Sequence, residues 1–439
     1  MAHVSKAAVG RLAAGEAGEV EVEWLAQHAL SCSACRALIA DLVEDTALHA
    51  KREGQLKALV ELLKAEHEKA LEFLKARAEW SSFRGLTRKA QRDRVILSRA
   101  CHTSAFLDLL LTELRSADSR DGSEFLASLA ILAVQGMDAK KYPTAPKNDL
   151  LAGVWIEVAN VRRIETEWHH AEAALRKADQ YLEEGTGDPL PKARMLSIAA
   201  SLQIGQGHLT EAMALLERCI QLYETSRDWP LVARTLVKMT YALVLVEPER
   251  GLSILDKALP LIPVEDASLR WLAATLRTEC LIQSGQIAQA LCAYQYAESI
   301  RDFQVRPNAK LRSTFTAARL FEALGRAKEA ERLFEEVIAE GLEREWYKDA
   351  FLDFFYLFGF HIRAGAAEKA VEVSQRALAQ LDLLDLGHDQ LRTVWTQLRD
   401  AAGRQALTRQ SLAMARDYLR VYWKHPAPTA PVFTSVQNR

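Results

Sequence analysis

The sequence predicts an all-α protein: a small helical N-terminal domain followed by an α-solenoid of helical hairpins. Two observations carry this prediction. The first is composition, because only 20 glycines and 12 prolines occur in 439 residues while Ala, Leu, Glu, Arg and Lys dominate, and these are the strong helix formers. The second is a repeat of about 40 residues. A length of 439 is roughly three times the usual ~150 residues per domain, so several domains or an extended array are expected. Hydrophobic residues at 49%, charged residues at 26% and a net charge of -2 are ordinary for a globular chain. They argue against a generic nucleic-acid binder and against a largely disordered protein. No window approaches the ~20 apolar residues of a membrane span, and no signal-peptide core opens the chain, so a cytoplasmic location is expected.

The first 45 residues hold Lys6, Arg11 and Arg36 against seven acidic residues, a local net charge of -4. Within WLAQHALSCSACRALIADL, His28, Cys32 and Cys35 form H-x3-C-x2-C. On a helix, positions i, i+4 and i+7 share a face, so an imidazole and two thiolates converge on one ion, and zinc suits that soft tetrahedral set. Three ligands leave one position, which a water or a fourth side chain fills. His3 precedes His28 with 24 residues between them. A helix over Val4 to Ala14, a GEAGE turn and a second helix from Val20 would return His3 to the cysteine end, closing a structural His2Cys2 site with no open catalytic position. The alternative leaves His3 frayed and another group as ligand.

These residues resemble the zinc-binding anti-sigma family, in which an early His is followed by H-x3-C-x2-C at the end of the second helix; the match falls on His3, His28, Cys32 and Cys35 and covers about 45 residues. The resemblance implies a domain, here 1–50, that binds a sigma factor of the extracytoplasmic-function type and occludes its polymerase-binding surface. Acidic surface suits a basic protein partner better than phosphate. Oxidation of Cys32 and Cys35 to a disulfide would expel the metal, but a closed zinc site is more often a staple of a small fold.

Residues 51–92 read as a helical connector, charge-alternating and interrupted only by Gly54. It runs into a basic stretch with Arg84, Arg88, Lys89, Arg92, Arg94 and Arg99 against Asp93. A cluster of this kind is usually a solvated helix entrance, with Thr87 here as N-cap, and only rarely a nucleic-acid contact. RVILSRACHTSAFLDLLLTELR and EFLASLAILAVQ then form a degenerate hairpin split by SADSRDGS, expected to cap the array.

From Leu151 to Leu419, small residues open the second helix of each hairpin at Ala171, Ala212, Gly251, Ala290, Ala330 and Ala370, at intervals of 41, 39, 39, 40 and 40. Seven positions later comes another compact residue: Ala178, Cys219, Ala258, Ala297, Val337 and Ala377. That spacing marks one helix face packed closely against its neighbour. Gly207, Gly285, Gly325 and Gly365 end the first helices, while VEPERG replaces the turn glycine in one unit. The pattern resembles tetratricopeptide repeats, with small residues at Ala200, Ala212 and at Ala318, Ala330, although the units exceed the usual 34 residues and most consensus aromatic and Pro positions are missing. The solenoid is placed at 93–424 and is expected to be right-handed, with a disordered tail at 425–439 that carries three prolines in HPAPTAPVFTSVQNR. DAFLDFFYLFGFH, apolar nearly all round, should be a helix buried between neighbours. Cys101, Cys219, Cys280 and Cys292 should be buried small hydrophobes.

No phosphate-binding loop, dinucleotide fingerprint, H-E-x-x-H, G-x-S-x-G or EF-hand loop is present, so no enzyme is expected. The functional expectation is a regulatory protein-protein interaction protein: a zinc-dependent anti-sigma-type regulator with a partner-binding solenoid and structural Zn2+ as cofactor. The alternative is a non-transcriptional scaffold whose zinc domain is only a cap. Repeat register picks Asn160, Arg163 and Arg319 as groove-facing; no nucleic acid or membrane partner is expected.

Overall fold

The computed structural model describes residues 50–116, 120–165, 167–301, 307–383 and 388–422, together with Arg11. Among the described residues the regular structure is entirely helical. No helix among them is long and apolar enough to cross a membrane. The chain divides into two compact units, one ending at Val154 and the other beginning at Trp155. The expected first-domain helices, the zinc-ligand set and the tail at 425–439 lie outside the described residues.

In the first unit, α1 (Ala50–Phe83) is followed by α2 (Arg88–Leu97), a 3-10 turn at Arg99–Cys101, α3 (Ser104–Arg115) and α4 (Arg120–Gly136). Thr87 caps α2 as expected, its hydroxyl accepting from the Ala90 amide at 3.4 Å. The second half of α1 packs against α3, and Trp80, Phe83 and Phe106 form a ring cluster with centroids 5.3 to 5.6 Å apart. Glu72 on α1 accepts hydrogen bonds from Ser104 Oγ at 3.0 Å, from Tyr142 Oη at 3.2 Å and from Lys141. Burial opposes the charge of Glu72, but the bonds from Lys141 and Ser104 outweigh it and hold the carboxyl below its ordinary range. Three of the six basic residues of the stretch pair within this unit. Arg94 forks onto Glu79 at 2.6 and 3.1 Å, Arg84 reaches Glu113 at 3.4 Å, and Arg88 pairs with Asp121. The SADSRDGS segment is a shorter break than the sequence suggested, because α4 already begins at Arg120 and absorbs the DGS residues.

Helix α5 (Thr144–Ile164) leads into the second unit, which continues with α6 (Trp168–Glu183), α7 (Pro189–Gln206), α8 (Leu209–Thr225), α9 (Trp229–Leu243), α10 (Pro248–Ala258), α11 (Ala267–Gln283), α12 (Ile287–Ser299), α13 (Pro307–Ala323), α14 (Ala327–Glu343), α15 (Tyr347–Arg363), α16 (Ala367–Leu383), α17 (Asp389–Gly403) and α18 (Arg409–Tyr422). From α6 to α18 each helix packs on the next, and α9 also contacts α11, and α11 contacts α13. That is the contact pattern of stacked hairpins in which the first helices form one layer and the second helices another.

The starts are set by local chemistry. Asp188, Asp228 and Asp266 cap α7, α9 and α11 by accepting from the amides of Leu190, Leu231 and Leu269, and prolines follow the first two caps, where the missing N–H is harmless. The ends are set by left-handed turns, with Gly285 at φ +73 as one of four equivalent glycines. All the small residues that open the second helices are buried, as are the compact residues seven positions on. At Gly251 a Cβ would stand 3.0 Å from Cys280 Sγ and 3.4 Å from Thr240 Cγ2, so this position accepts no side chain without displacement. Helix α15 is buried nearly all round, its Phe351, Phe354, Phe358 and the Trp395 ring of α17 forming the centre of the largest cluster. Cys101, Cys219 and Cys280 are buried, but Cys292 is exposed. The correction has a simple cause: Cys292 lies two residues after the buried Ala290, about 200° around the helix, and so on the opposite face.

Gly251→Ala should therefore destabilise by about 1–3 kcal/mol through overpacking, and Gly285→Ala by about 1 kcal/mol through backbone strain alone, since open space surrounds its Cβ position. Urea midpoints of the single and double variants check this. Cys280→Ala should recover part of the Gly251→Ala loss and none of the Gly285→Ala loss.

Candidate functional site

A hollow in the second unit has a volume of about 910 Å3 and is lined mainly by the first helices of successive hairpins. Arg163 and Ile164 come from α5, Ser201 and Ile204 from α7, Arg234, Lys238 and Tyr241 from α9, Leu269 and Leu272 from α11. The turn between α14 and α15 and the start of α15 add Glu345, Trp346, Tyr347 and Asp349. Repeat geometry explains the convergence, because equivalent positions of stacked first helices fall on one surface. The backbone at Glu345 is left-handed at φ +59, a conformation that side chains other than glycine adopt uncommonly.

Two cations dominate the electrostatics of this groove. Lys238 is half-buried and donates to the Ser197 carbonyl at 3.1 Å and to Ser197 Oγ at 2.6 Å. Among the described residues no carboxylate forms an ion pair with it. Burial, with the neighbouring charges of Arg163, Arg194 and Arg234, depresses its ammonium to about 8 despite the opposing influence of Cys219. Arg163 donates from Nη2 to Asn160 Oδ1 at 2.9 Å, while its buried Nε has no hydrogen-bond partner. Burial lowers its affinity for the proton, with Tyr241 acting in the opposite sense.

Other cations of this region are already matched. Arg234 reaches Asp266 at 2.9 Å, and Arg194 pairs with the buried Glu157. Arg312 on α13 forks onto Glu279 of α11 at 2.9 and 2.6 Å, and Thr316 donates to the same carboxylate at 2.7 Å. The Arg312 guanidinium lies 4.4 Å from the centroid of the Tyr241 ring. Burial works against the charge on Arg312, but Glu279 and Tyr241 outweigh it and hold the proton more firmly than on an ordinary arginine. The pairing of Arg312 with Glu279 is thus a fixed part of the wall, whereas among the described residues Arg163 and Lys238 form no ion pair.

Acidic groups enter from α15. Asp349 lines the hollow, and one turn further along the same helix Asp353 is buried. Burial first, and Asp349 second, push the Asp353 carboxyl well above its ordinary value. No hydrogen bond or ion pair to Asp353 is formed among the described residues.

A second hollow of about 640 Å3 is lined by Arg319, Glu322, Tyr356, Arg363, Arg409 and Arg416, among others. Arg363 pairs with Glu322 at 2.7 Å, and Arg319 lies 5.4 Å from the Tyr356 ring centroid.

Of the residues chosen by repeat register, Arg163 and Arg319 each line a hollow, and Asn160 supports Arg163. Lys238, Tyr241 and Asp353 were not singled out in the sequence. The available signals were a lone lysine in the apolar run of RTLVKMTYALV and a lone acid in AFLDFFYLFGF. His3, His28, Cys32 and Cys35 lie outside the described residues. Among the described residues no group of three or more His, Cys, Asp or Glu side chains is placed to hold a metal ion.

No protein-family model matches the chain, and no curated protein matches it. Among solved structures, the crystal structure of a Rap protein complexed with competence and sporulation factor aligns with 79% of this chain and 99% of its own, at 12% identity and a TM-score of 0.43. The architecture is accordingly read from the helices themselves.

The amine of Lys238 gives a pH test. Native Lys238 releases its proton near 8 and an unfolded lysine near 10.5, so between these values the unfolded chain holds more protons and stability rises with pH. The stability of the wild type relative to Lys238→Met should be flat from pH 6 to 7.5 and should rise from pH 8 to 10, as measured by urea denaturation. A flat difference across the whole range would place Lys238 in ordinary solvent.

Proposed function

We propose that this protein is a regulatory protein-protein interaction protein whose hairpin solenoid holds a segment of a partner in the groove between α5 and α15. One observation carries this reading: residues from α5, α7, α9, α11 and the α14–α15 turn converge on a single hollow of about 910 Å3. A volume near the upper end of the ~300–1,000 Å3 range of ligand sites, spread over several repeats, suits an extended chain or one face of a helix. Trp346, Tyr347 and Tyr241 offer apolar area there, and Arg163 and Lys238 offer orienting charge. The reading assigns no catalytic step to the protein.

The N-terminal segment adds a second proposed element. His3, His28, Cys32 and Cys35 would hold one structural Zn2+, and the domain folded around it would bind a sigma factor of the extracytoplasmic-function type in the cytoplasm. The support is the H-x3-C-x2-C spacing with its early His and the acidic charge of the first 45 residues. An input on the solenoid would then alter sequestration of the sigma factor.

Affinity capture of the intact protein from its host, with and without a zinc chelator and with Ser201→Trp as a groove-filling variant, tests both elements. The groove partner should be lost with Ser201→Trp and survive chelation, whereas a sigma factor should be lost on chelation. An unchanged set of partners under all conditions contradicts both assignments. Loss of the groove partner alone, with no sigma factor recovered, leaves an interaction scaffold.

A further inference from the structure

Arg163 and Lys238 differ from the cations around them in having no acid of their own. Arg162, adjacent in the chain, is buried and donates to Glu165 at 3.2 Å and to Glu167 at 3.0 Å. Arg194 pairs with Glu157, Arg234 with Asp266, and Arg312 with Glu279. Among the described residues Arg163 and Lys238 form no ion pair, yet they are close enough that Arg163 is, after burial, the strongest influence on the Lys238 ammonium. Glu345 and Asp349 line the same hollow, and neither forms an ion pair with these two cations. Two like charges held together in a partly dry groove are unfavourable in the free protein, and one anion arriving with a ligand relieves both.

The two side chains also have donors to spare. An ammonium has three N–H donors, and Lys238 uses two, on the Ser197 carbonyl at 3.1 Å and on Ser197 Oγ at 2.6 Å. Arg163 is steadied by Asn160 through Nη2 at 2.9 Å, while its buried Nε has no partner. One donor from each side chain suits the two oxygens of a carboxylate. Both cations are held by neutral groups, so the pair is in place before a ligand arrives. Lys238 stands on α9, with α5 and α7 before it and α11 after it among the first helices, and all four line the hollow. A segment anchored at Lys238 therefore continues past it in both directions.

We propose that Arg163 and Lys238 form a subsite for one carboxylate, the side chain of an Asp or Glu within the partner segment that occupies the groove. The inference rests on the reading of the groove as a partner-binding site and adds to it the residue class that anchors the partner. Replacing that carboxylate by an amide leaves the two like charges unrelieved, so the subsite contributes selectivity more than bulk affinity.

A random heptapeptide display library, panned on the intact chain at neutral pH, supplies the probe. Enriched peptides should share one position restricted to Asp or Glu. On the unmodified protein, a synthetic copy with that acid replaced by its amide should bind at least about tenfold more weakly, the scale expected for losing a charge-assisted contact at a partly desolvated site. Amidation of the peptide C-terminus should leave binding unchanged. Arg163→Gln/Lys238→Met should bind the acid and amide peptides alike, and its urea midpoint shows whether the fold is kept; if it is not, the comparison on the unmodified protein decides alone. Enrichment without an acidic position, or equal binding of acid and amide peptides to the unmodified protein, overturns the inference and leaves the groove as a binding site. So does a requirement for a free C-terminus, or displacement of the peptide by inorganic phosphate at concentrations where acetate has no effect. If no peptide is enriched at all, the binding-site reading falls and the inference with it.

Discussion

The contact on which the rest of the second unit depends is the burial of a small residue against the neighbouring helices at the start of each second helix. Ala171, Ala212, Gly251, Ala290, Ala330 and Ala370 are all buried, and at Gly251 the neighbouring Cys280 sulfur occupies the space a methyl group would need. Such contacts recur every 39 to 41 residues and give each hairpin the same geometry as the last. Equal geometry stacks equivalent positions of the first helices on one surface. The groove is a consequence of that stacking, and its chemistry is decided by what each repeat places at those positions.

Because the array repeats, its local departures from repetition are informative. Between α9 and α10 no glycine turn is used, and α10 begins at Pro248 with its first turn following Glu247. At the α14–α15 turn the left-handed residue is Glu345, which lines the larger hollow, so a conformation usually given to glycine there carries an acid into the groove. Elsewhere buried charge is neutralised internally, as Glu279 is by Arg312 and Thr316. Against that background, Arg163, Lys238 and Asp353 stand out as groups whose charge is opposed by burial without an opposite charge beside them.

The architecture was legible in the sequence because close packing leaves a periodic trace: small residues at fixed intervals and glycines at the turns reappear in the structure with the roles their chemistry implies. Register alone was enough to place Arg163 and Arg319 in hollows. It was not enough for Lys238 or Asp353, whose significance lies in what does not face them, and that depends on side chains from other helices. Cys292 shows the same limit at smaller scale, since cysteine favours burial by type but its place on the helix turns it outward. The H-x3-C-x2-C spacing of His28, Cys32 and Cys35 is the most specific chemical pattern in the sequence, and its residues lie outside those described.

The central claim is that partners are held in the groove of the first helices and not on the outer layer. Site-specific photocrosslinking in the host tests it directly, with a benzophenone side chain placed at Tyr241 in the groove or at the exposed Arg218 on α8. A discrete protein or peptide adduct from position 241, with none from position 218, is the result the account predicts. Adducts from position 218 alone, or the same adducts from both positions, would contradict it.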